Sequence, residues 1–321
     1  MTAFLCALAI AALSCTGLAQ AQTYPSKPIR IIVPFPTGGG VDLAARIIGQ
    51  KLNEALGRPV IVDNRTGAAG HIGTEIAARS APDGYTLVMG SLGPLAIDPS
   101  LYPGLPYDPV KDFAPIALVA STIYALVVHP DVPAKSVEEL IALAKASPGK
   151  LNYASSGTGT PPHLFMEHFM TSAGKMSHIP YKGAGPALTD LLGGQVQVFF
   201  ADVIAIRPYL ESNRLRALAV TSAQRARATP NLPTMAEAGL PGFVATSWTG
   251  VLAPAGTPQA IVTKLNTEIV RVLPLPEIVA SLGGDGSEFG KNTPDEFAAF
   301  MRSERARWRK VIEAASVKLD R

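Results

Sequence analysis

One stretch limits the choice of fold more than any other: Ile29 to Asp42, which reads IRIIVPFPTGGGVD. Its first five residues, rich in β-branched side chains, predict a buried strand. Pro34 and Pro36 end that strand, Gly38, Gly39 and Gly40 make a turn, and a helix is expected from near Asp42. A strand that empties through glycines into a helix start leaves N–H groups unpaired and pointing outward, and no Cβ keeps an anion from the backbone. The turn therefore reads as a grip for a carboxylate, with packing alone as the competing explanation. Two nucleotide motifs are excluded. No Gly-Lys-Ser/Thr ending follows the glycines, and the dinucleotide fingerprint would need glycine where Leu43 stands.

The rest of the chain repeats this grammar. Leu43, Ile47, Ile48, Leu52 and Leu56 recur at helical spacing before Gly57. A strand from Pro59 to Asp63 runs into a second glycine turn, Gly67 to Gly73, and a helix through Ala78; a third strand, Tyr85 to Met89, ends at Gly90. Strand, helix, strand, helix, strand is a doubly wound α/β unit, whose ligands bind beyond the carboxyl ends of the strands, where these glycines fall. Pro94 to Pro115 reads as an irregular excursion. Ile116 to His129 is an apolar run too long for one ordinary strand and is broken by Ser121 and Thr122, which predicts a crossing between two domains.

In the second half a capping box, Ser136 to Glu139, opens a helix to Ala146. A strand from Leu151 to Ala154 leads into Ser155-Ser156-Gly157-Thr158-Gly159-Thr160, a mirror of the first glycine turn, and a helix from His163 to Met170. Strands are then expected at 177–180, 195–200 and 215–220, with Asp202 capping a helix to about Leu210. Ala245 to Leu252 is the candidate return crossing. Helices follow from Thr257 to Leu273 and from Thr293 to about Ala315. The arginines of that last helix, with Glu304 and Glu313, read as a solvated face.

Hydrophobic residues make up 47% and charged residues 17% of the 321, as in a well-packed globular protein, and a net charge of +3 without a basic run gives no footprint for nucleic acid. Both cysteines, Cys6 and Cys15, lie in an apolar leader that ends in Ala19-Gln20-Ala21. The expectation is a signal peptide over residues 1–21, cleaved after Ala21, and a mature chain without thiol chemistry. No Lys or Arg precedes the apolar run, which leaves an upstream start codon open; lipidation of Cys15 is the weaker alternative, because Ala12 replaces the usual leucine. The five histidines form no metal motif, no G-x-S-x-G elbow exists, and neither a metal nor a cofactor is expected. A hydrolase built on Ser156, or its neighbour Ser155, with His163 as base is the minor alternative. His71 reads equally as a ligand contact or a helix cap, and Trp248 reads as core or hinge packing.

Several blocks, taken in order, are specific together. They are Tyr24-Pro25-x-Lys27-Pro28-Ile29-Arg30, Val33-Pro34-Phe35-x-x-Gly38-Gly39-x-x-Asp42, Asn64-Arg65-x-Gly67-Ala68-x-Gly70, Pro82-Asp83-Gly84-Tyr85-Thr86, Pro180-Tyr181-Lys182-Gly183-x-Gly185-Pro186, Asp190-Leu191-Leu192-Gly193-Gly194-Gln195 and Ala253-Pro254-Ala255-Gly256-Thr257-Pro258. This pattern resembles the Bug-type solute-binding receptors of tripartite tricarboxylate transporters. The resemblance implies a periplasmic "Venus flytrap" of the type II binding-protein class: two doubly wound Rossmann-like domains joined by a hinge of two crossing strands. Domain 1 is expected over 22–123 and 247–321, and domain 2 over 124–246. It implies a non-catalytic receptor, expected as a monomer, that binds a small organic acid and hands it to integral membrane transporter subunits; a sensor docking on a signalling partner is the alternative. Matching residue by residue, it places ligand contacts at Phe35, Thr37, Gly38, Gly39, Gly40, Asp42, Gly70, Ser156, Gly157, Thr158, Thr160, His163 and Asp202. Thr37 stands where such receptors often carry proline, and His71 where asparagine is common. Three or four hydrogen bonds to a charged group, at about 1.5 to 3 kcal/mol each, reach the ~8 kcal/mol of a micromolar complex without any basic side chain.

Overall fold

The computed structural model describes residues 24–227, 229–282 and 292–315; the leader and its cleavage point lie outside these. Two five-stranded sheets organise the chain. The first takes its strands in the order β2-β1-β3-β10-β4, from β1 (Ile29–Val33), β2 (Val60–Asn64), β3 (Thr86–Ser91), β4 (Phe113–Thr122) and β10 (Ser247–Pro254). The second runs β7-β6-β8-β5-β9, from β5 (Tyr124–Val128), β6 (Asn152–Ser155), β7 (Ser177–Pro180), β8 (Val198–Asp202) and β9 (Arg216–Val220). The orders match. In each sheet three parallel strands come first, and the fourth, β10 or β5, is antiparallel and follows directly from a crossing.

Burial explains the apolar runs. Ile29, Ile31, Ile32 and Val33 have no exposed surface, because β1 is flanked by parallel neighbours and covered on both faces. The covering helices are α1 (Gly40–Leu56), α2 (His71–Ala78), α3 (Asp98–Leu101), α4 (Val137–Ala146), α5 (Pro161–Ala173), α6 (Ala184–Leu192), α7 (Val203–Glu211), α8 (Gln259–Val272), α9 (Pro276–Leu282) and α10 (Pro294–Ala315). Their ends carry the expected devices: Gly57 is left-handed and its N–H closes on Asn53, Ser136 Oγ accepts from the Glu139 amide, and Asp202 Oδ1 accepts from the Ile204 amide.

The two predicted crossings are both present. β4 gives way to β5 through Ile123 alone, and β10 pairs back along β4 as far as Ser247↔Thr122. Thr221 links the strands just beyond, accepting the Ala245 amide on its carbonyl and the Tyr124 amide on its hydroxyl. Two segments therefore carry the hinge side by side.

Two expectations need correction. The stretch after β3 is not wholly irregular: Gly93–Ile97 and α3 form a compact helical corner whose Asp98 is buried. The last helix is not merely a solvated face. Its stripe of Phe297, Met301, Glu304, Trp308 and Val311 recurs at helical spacing and is buried. Phe297 and Phe300 flank Trp248 of β10 at 5.7 and 5.8 Å, and Trp308 stacks on Phe165 of α5 at 5.2 Å, so α10 clamps both lobes across the back of the hinge. Glu304, 5% exposed, accepts from Trp308 Nε1 at 3.2 Å, and burial pushes its carboxyl up.

Candidate functional site

Strand register decides where the glycine turns point. β3 ends beside the start of β10, with Ser91 opposite Thr249, and β8 ends beside the start of β5, with Asp202 opposite Tyr124. Both of those starts adjoin the crossings. The carboxyl ends of β1, β3, β6 and β8 therefore lie at the hinge end of each sheet, and the turns that follow them leave from that end.

In lobe 1 the turn after β1 is open. Thr37, Gly38, Gly39 and Gly40 are exposed, and Phe35 is half-buried. Gly38 has φ +88°, a conformation glycine adopts without strain. Among the described residues the amides of Gly39, Gly40 and Val41 have no intrachain acceptor, as the first turn of a helix dictates. Asp42, expected as a ligand contact, is 2% exposed and already committed: its carboxylate accepts from the Gly38 amide, Arg46 Nε and Asn64 Nδ2, each at 2.9 Å. Asn64 also donates to the Phe35 carbonyl at 3.0 Å. The hydrogen bond from Arg46 foremost holds the Asp42 carboxyl down to about 2. Asp42, Arg46 and Asn64 thus frame the turn, and the Gly38 amide is spent inside it.

The second turn supplies a wall. Gly67, Ala68, Ala69 and Gly70 all have positive φ, and for the two alanines that conformation is strained. Gly70 has φ +99°, and a Cβ there would lie 3.0 Å from both the Phe35 ring and Pro94, so the ring packs directly on backbone. His71 turns inward: its Nε2 lies 2.7 Å from Asp98 Oδ2, and the edge of Tyr102 meets its ring at 4.6 Å. It is part of the helical corner and not of the cleft.

In lobe 2, Ser156, Gly157, Thr158 and Thr160 are half-buried in the turn after β6. The Gly157 and Gly159 amides are engaged, by Ser155 Oγ and by His163 Nδ1. The amides and hydroxyls of Ser156 and Thr158 have no partner among the described residues. Pro161 and Pro162 open α5 without N–H groups, so the free donors of this lobe come chiefly from the turn and only at His163 from the helix end. Asp202 sits half-buried at the end of β8; burial pushes its carboxyl up, and burial together with that carboxylate pushes the Tyr124 phenol up.

The hydrolase alternative finds no dyad. Both nitrogens of His163 are occupied, Nδ1 by the Gly159 amide at 3.0 Å and Nε2 by Glu167 at 3.5 Å. Ser155 does meet His178 Nε2 at 2.6 Å, but it has no exposed surface. Among the described residues no group of three or more His, Cys, Asp or Glu could hold a metal ion, and no helix is long and apolar enough to cross a membrane. The framing roles of Arg46, Glu167 and His178 escaped sequence reasoning, and Asn64 and Ser155, though noted there, were not read as supports of the turns. The available signals were the i, i+4 spacing of Asp42 with Arg46 and of His163 with Glu167.

Comparison with known proteins adds the following. The profile of the tripartite tricarboxylate transporter family receptors matches residues 44–317. Protein BugT of Bordetella pertussis is 41% identical over 302 residues, covering 94% of this chain and 93% of that protein. A solved R. palustris protein with adipate is 37% identical with a TM-score of 0.81, covering 92% of this chain and 99% of its own. MatC from Rhodopseudomonas palustris, solved with bound malate, is 32% identical with a TM-score of 0.77, covering 90% and 100%.

Proposed function

Because this chain belongs to the receptor family of the tripartite tricarboxylate transporters, we propose that it is an exported periplasmic receptor that closes two lobes over a small organic carboxylate and delivers it to a membrane transporter. One observation supports this reading most: backbone amides at Gly39 and Gly40 in one lobe, and at Ser156 and Thr158 in the other, are unpaired and follow strands that end at the hinge end of their sheets, and on this reading they face one gap. Amides of this kind suit a carboxylate, since a hydrogen bond to an ionised acceptor contributes about twice as much as one between neutral groups. No basic side chain is needed, and reversible binding follows. The adipate and malate held by similar proteins favour a small dicarboxylate.

On this reading lobe 1 comprises 22–123 and 247–321, and lobe 2 comprises 124–246. Thr37, Gly39, Gly40, Ser156 and Thr158 hold the ligand carboxylate, Thr160, expected as a ligand contact, instead closes the turn by donating its amide and hydroxyl to the Gly157 carbonyl, and Phe35 packed on Gly70 forms the apolar wall. Asp42, holding Gly38, and His163, holding Gly159, fix the shape of the turns, and Gly157 is held by Ser155. Asp202 faces the distal end of the ligand. The protein acts as a monomer. Native mass spectrometry of freshly purified protein tests the reading: it should show a bound mass equal to a small organic acid. A ligand-free protein whose melting point is moved by no dicarboxylate, aromatic acid or amino acid would contradict it.

A further inference from the structure

The lobe-2 turn is held from behind by two stacked imidazoles. The His163 and His178 rings lie 4.1 Å apart with planes 7° from parallel, and Tyr153 continues the stack 4.8 Å from His178. Each imidazole serves one glycine of the turn. Gly159 N–H donates to His163 Nδ1 at 3.0 Å; Gly157 N–H donates at 3.2 Å to Ser155 Oγ, which lies 2.6 Å from His178 Nε2. With φ of +133° and +81°, Gly157 and Gly159 depend on fixed hydrogen bonds to stay in one shape.

The bond from Gly159 fixes the state of His163. A ring nitrogen that accepts an N–H carries no proton, so His163 is neutral here, with its hydrogen on Nε2 toward Glu167. Glu167 also accepts the Tyr153 hydroxyl at 2.7 Å. A proton added to His163 sets Nδ1–H against the Gly159 N–H: two donors and no acceptor. The turn then has to release Gly159. The imidazolium charge alone would favour an anion, but it sits against the Glu167 carboxylate, which neutralises it, so the lost geometry decides the sign. Among the described residues, further titratable groups around the pair include Tyr153 from β6 and Lys175, which shares with Glu167 and His178 the lining of a cavity of about 660 Å³. That cavity reaches Glu167 and His178, the two neighbours of the His163 ring. His168, on the same helix, faces Phe243 instead.

We propose that His163 is a positioning residue that couples the ligand turn to proton uptake: lobe 2 holds a carboxylate while His163 is neutral and loosens it when His163 takes up a proton. This deepens the carboxylate-receptor reading and rests on it for the ligand, while the coupling itself concerns only the turn.

Two measurements test it. NMR of the full chain, ligand-free and labelled with nitrogen-15 at His and Gly, should show His163 as the Nε2–H tautomer near about pH 8, and the Gly159 amide resonance should move together with His163 as pH falls to about 5. Calorimetric titration of adipate into wild type, His163→Asn and His163→Ala supplies the second. Asn Oδ1 replaces Nδ1 as acceptor and cannot be protonated. Wild type should lose about tenfold more affinity between these pH values than His163→Asn, which binds within about threefold of wild type at the higher one, while His163→Ala binds weakly at both. Protonation of adipate itself is common to all three and cancels. Identical pH profiles in wild type and His163→Asn, stronger acid binding in wild type alone, or a Gly159 amide that ignores His163 would overturn the proposal, and the first leaves the receptor reading intact. If the NMR coupling appears and adipate binds at neither pH, the coupling stands and the choice of ligand falls.

Discussion

Asp42→Ala removes a side chain that does not reach into the cleft, and it should cost ligand binding more than stability. The Asp42 carboxylate accepts three hydrogen bonds of 2.9 Å while only 2% exposed. Arg46 is half-exposed, so its ion pair contributes about 0.5 kcal/mol at most. The bonds from Gly38 and Asn64 contribute about 1 kcal/mol each once water is allowed to reach the vacated turn. The sum is about 2 to 3 kcal/mol. The depressed carboxyl gives a second and smaller figure from the same bonds: a fall from 3.8 to about 2, with the Arg46 hydrogen bond as first cause, is about 1 to 2 kcal/mol after discounting for the solvent around the half-exposed Arg46. Because the folded value lies below the unfolded one, this stability is present in full above pH 3.8 and is lost as pH falls through about 2.

The effect on binding is separate and larger. Without Asp42 the left-handed Gly38 has no anchor, and the amides of Gly39 and Gly40 no longer stand preset toward the ligand. Losing one such charge-assisted bond weakens Kd about tenfold or more. Asn is no substitute, because three donors converge on the carboxylate and an amide brings a donor of its own. Urea denaturation reads the stability, and calorimetry with an acid that the wild type binds reads the affinity. An Asp42→Ala protein of unchanged affinity would refute the framing role.

Three further outcomes are expected. Thr160→Asp exchanges a hydroxyl that donates to the Gly157 carbonyl for a carboxylate able to cap α5, and it puts a negative charge in the lobe-2 turn, so ligand-induced melting shifts should vanish while the protein stays folded; a retained shift would contradict the placement of the ligand. Trp308→Ala removes the ring that ties α10 to Phe165 and should cost about 3 to 5 kcal/mol in urea denaturation; a loss under about 1 kcal/mol would mean that α10 does not clamp the hinge. Asp202→Asn preserves the cap on α7 and removes a charge from the cleft, so dicarboxylates should bind about threefold tighter or better; unchanged calorimetric affinity would place Asp202 away from the ligand.

Much of this molecule was legible in its residues, because the signals were local. β-branched runs, glycines at strand ends and Ser or Asp at helix starts depend on neighbours along the chain. The crossing strands were visible for the same reason, as apolar runs of unusual length with a polar break. What stayed hidden depends on partners distant in sequence. Asn64 frames a turn more than twenty residues earlier, and His178 supports Ser155 across two strands. His71, read as either a ligand contact or a helix cap, proved to be a partner of Asp98, twenty-seven residues on. The arginines of α10 hid the buried stripe from Phe297 to Val311, since charge on three faces of a helix outweighs in composition one apolar face that decides where the helix goes.

Backbone amides as the ligand's partners are the centre of the account, and Gly39 isolates one of them. Its φ of −82° suits proline, and an added Cβ there meets only the Pro36 carbonyl at 3.9 Å. Gly39→Pro thus deletes one free N–H, whereas Gly39→Ala retains it. Calorimetry of the acid that native mass spectrometry identifies should give Gly39→Ala an affinity within about threefold of wild type and Gly39→Pro one weaker by about tenfold or more. Equal affinities for the two variants would contradict capture by the backbone.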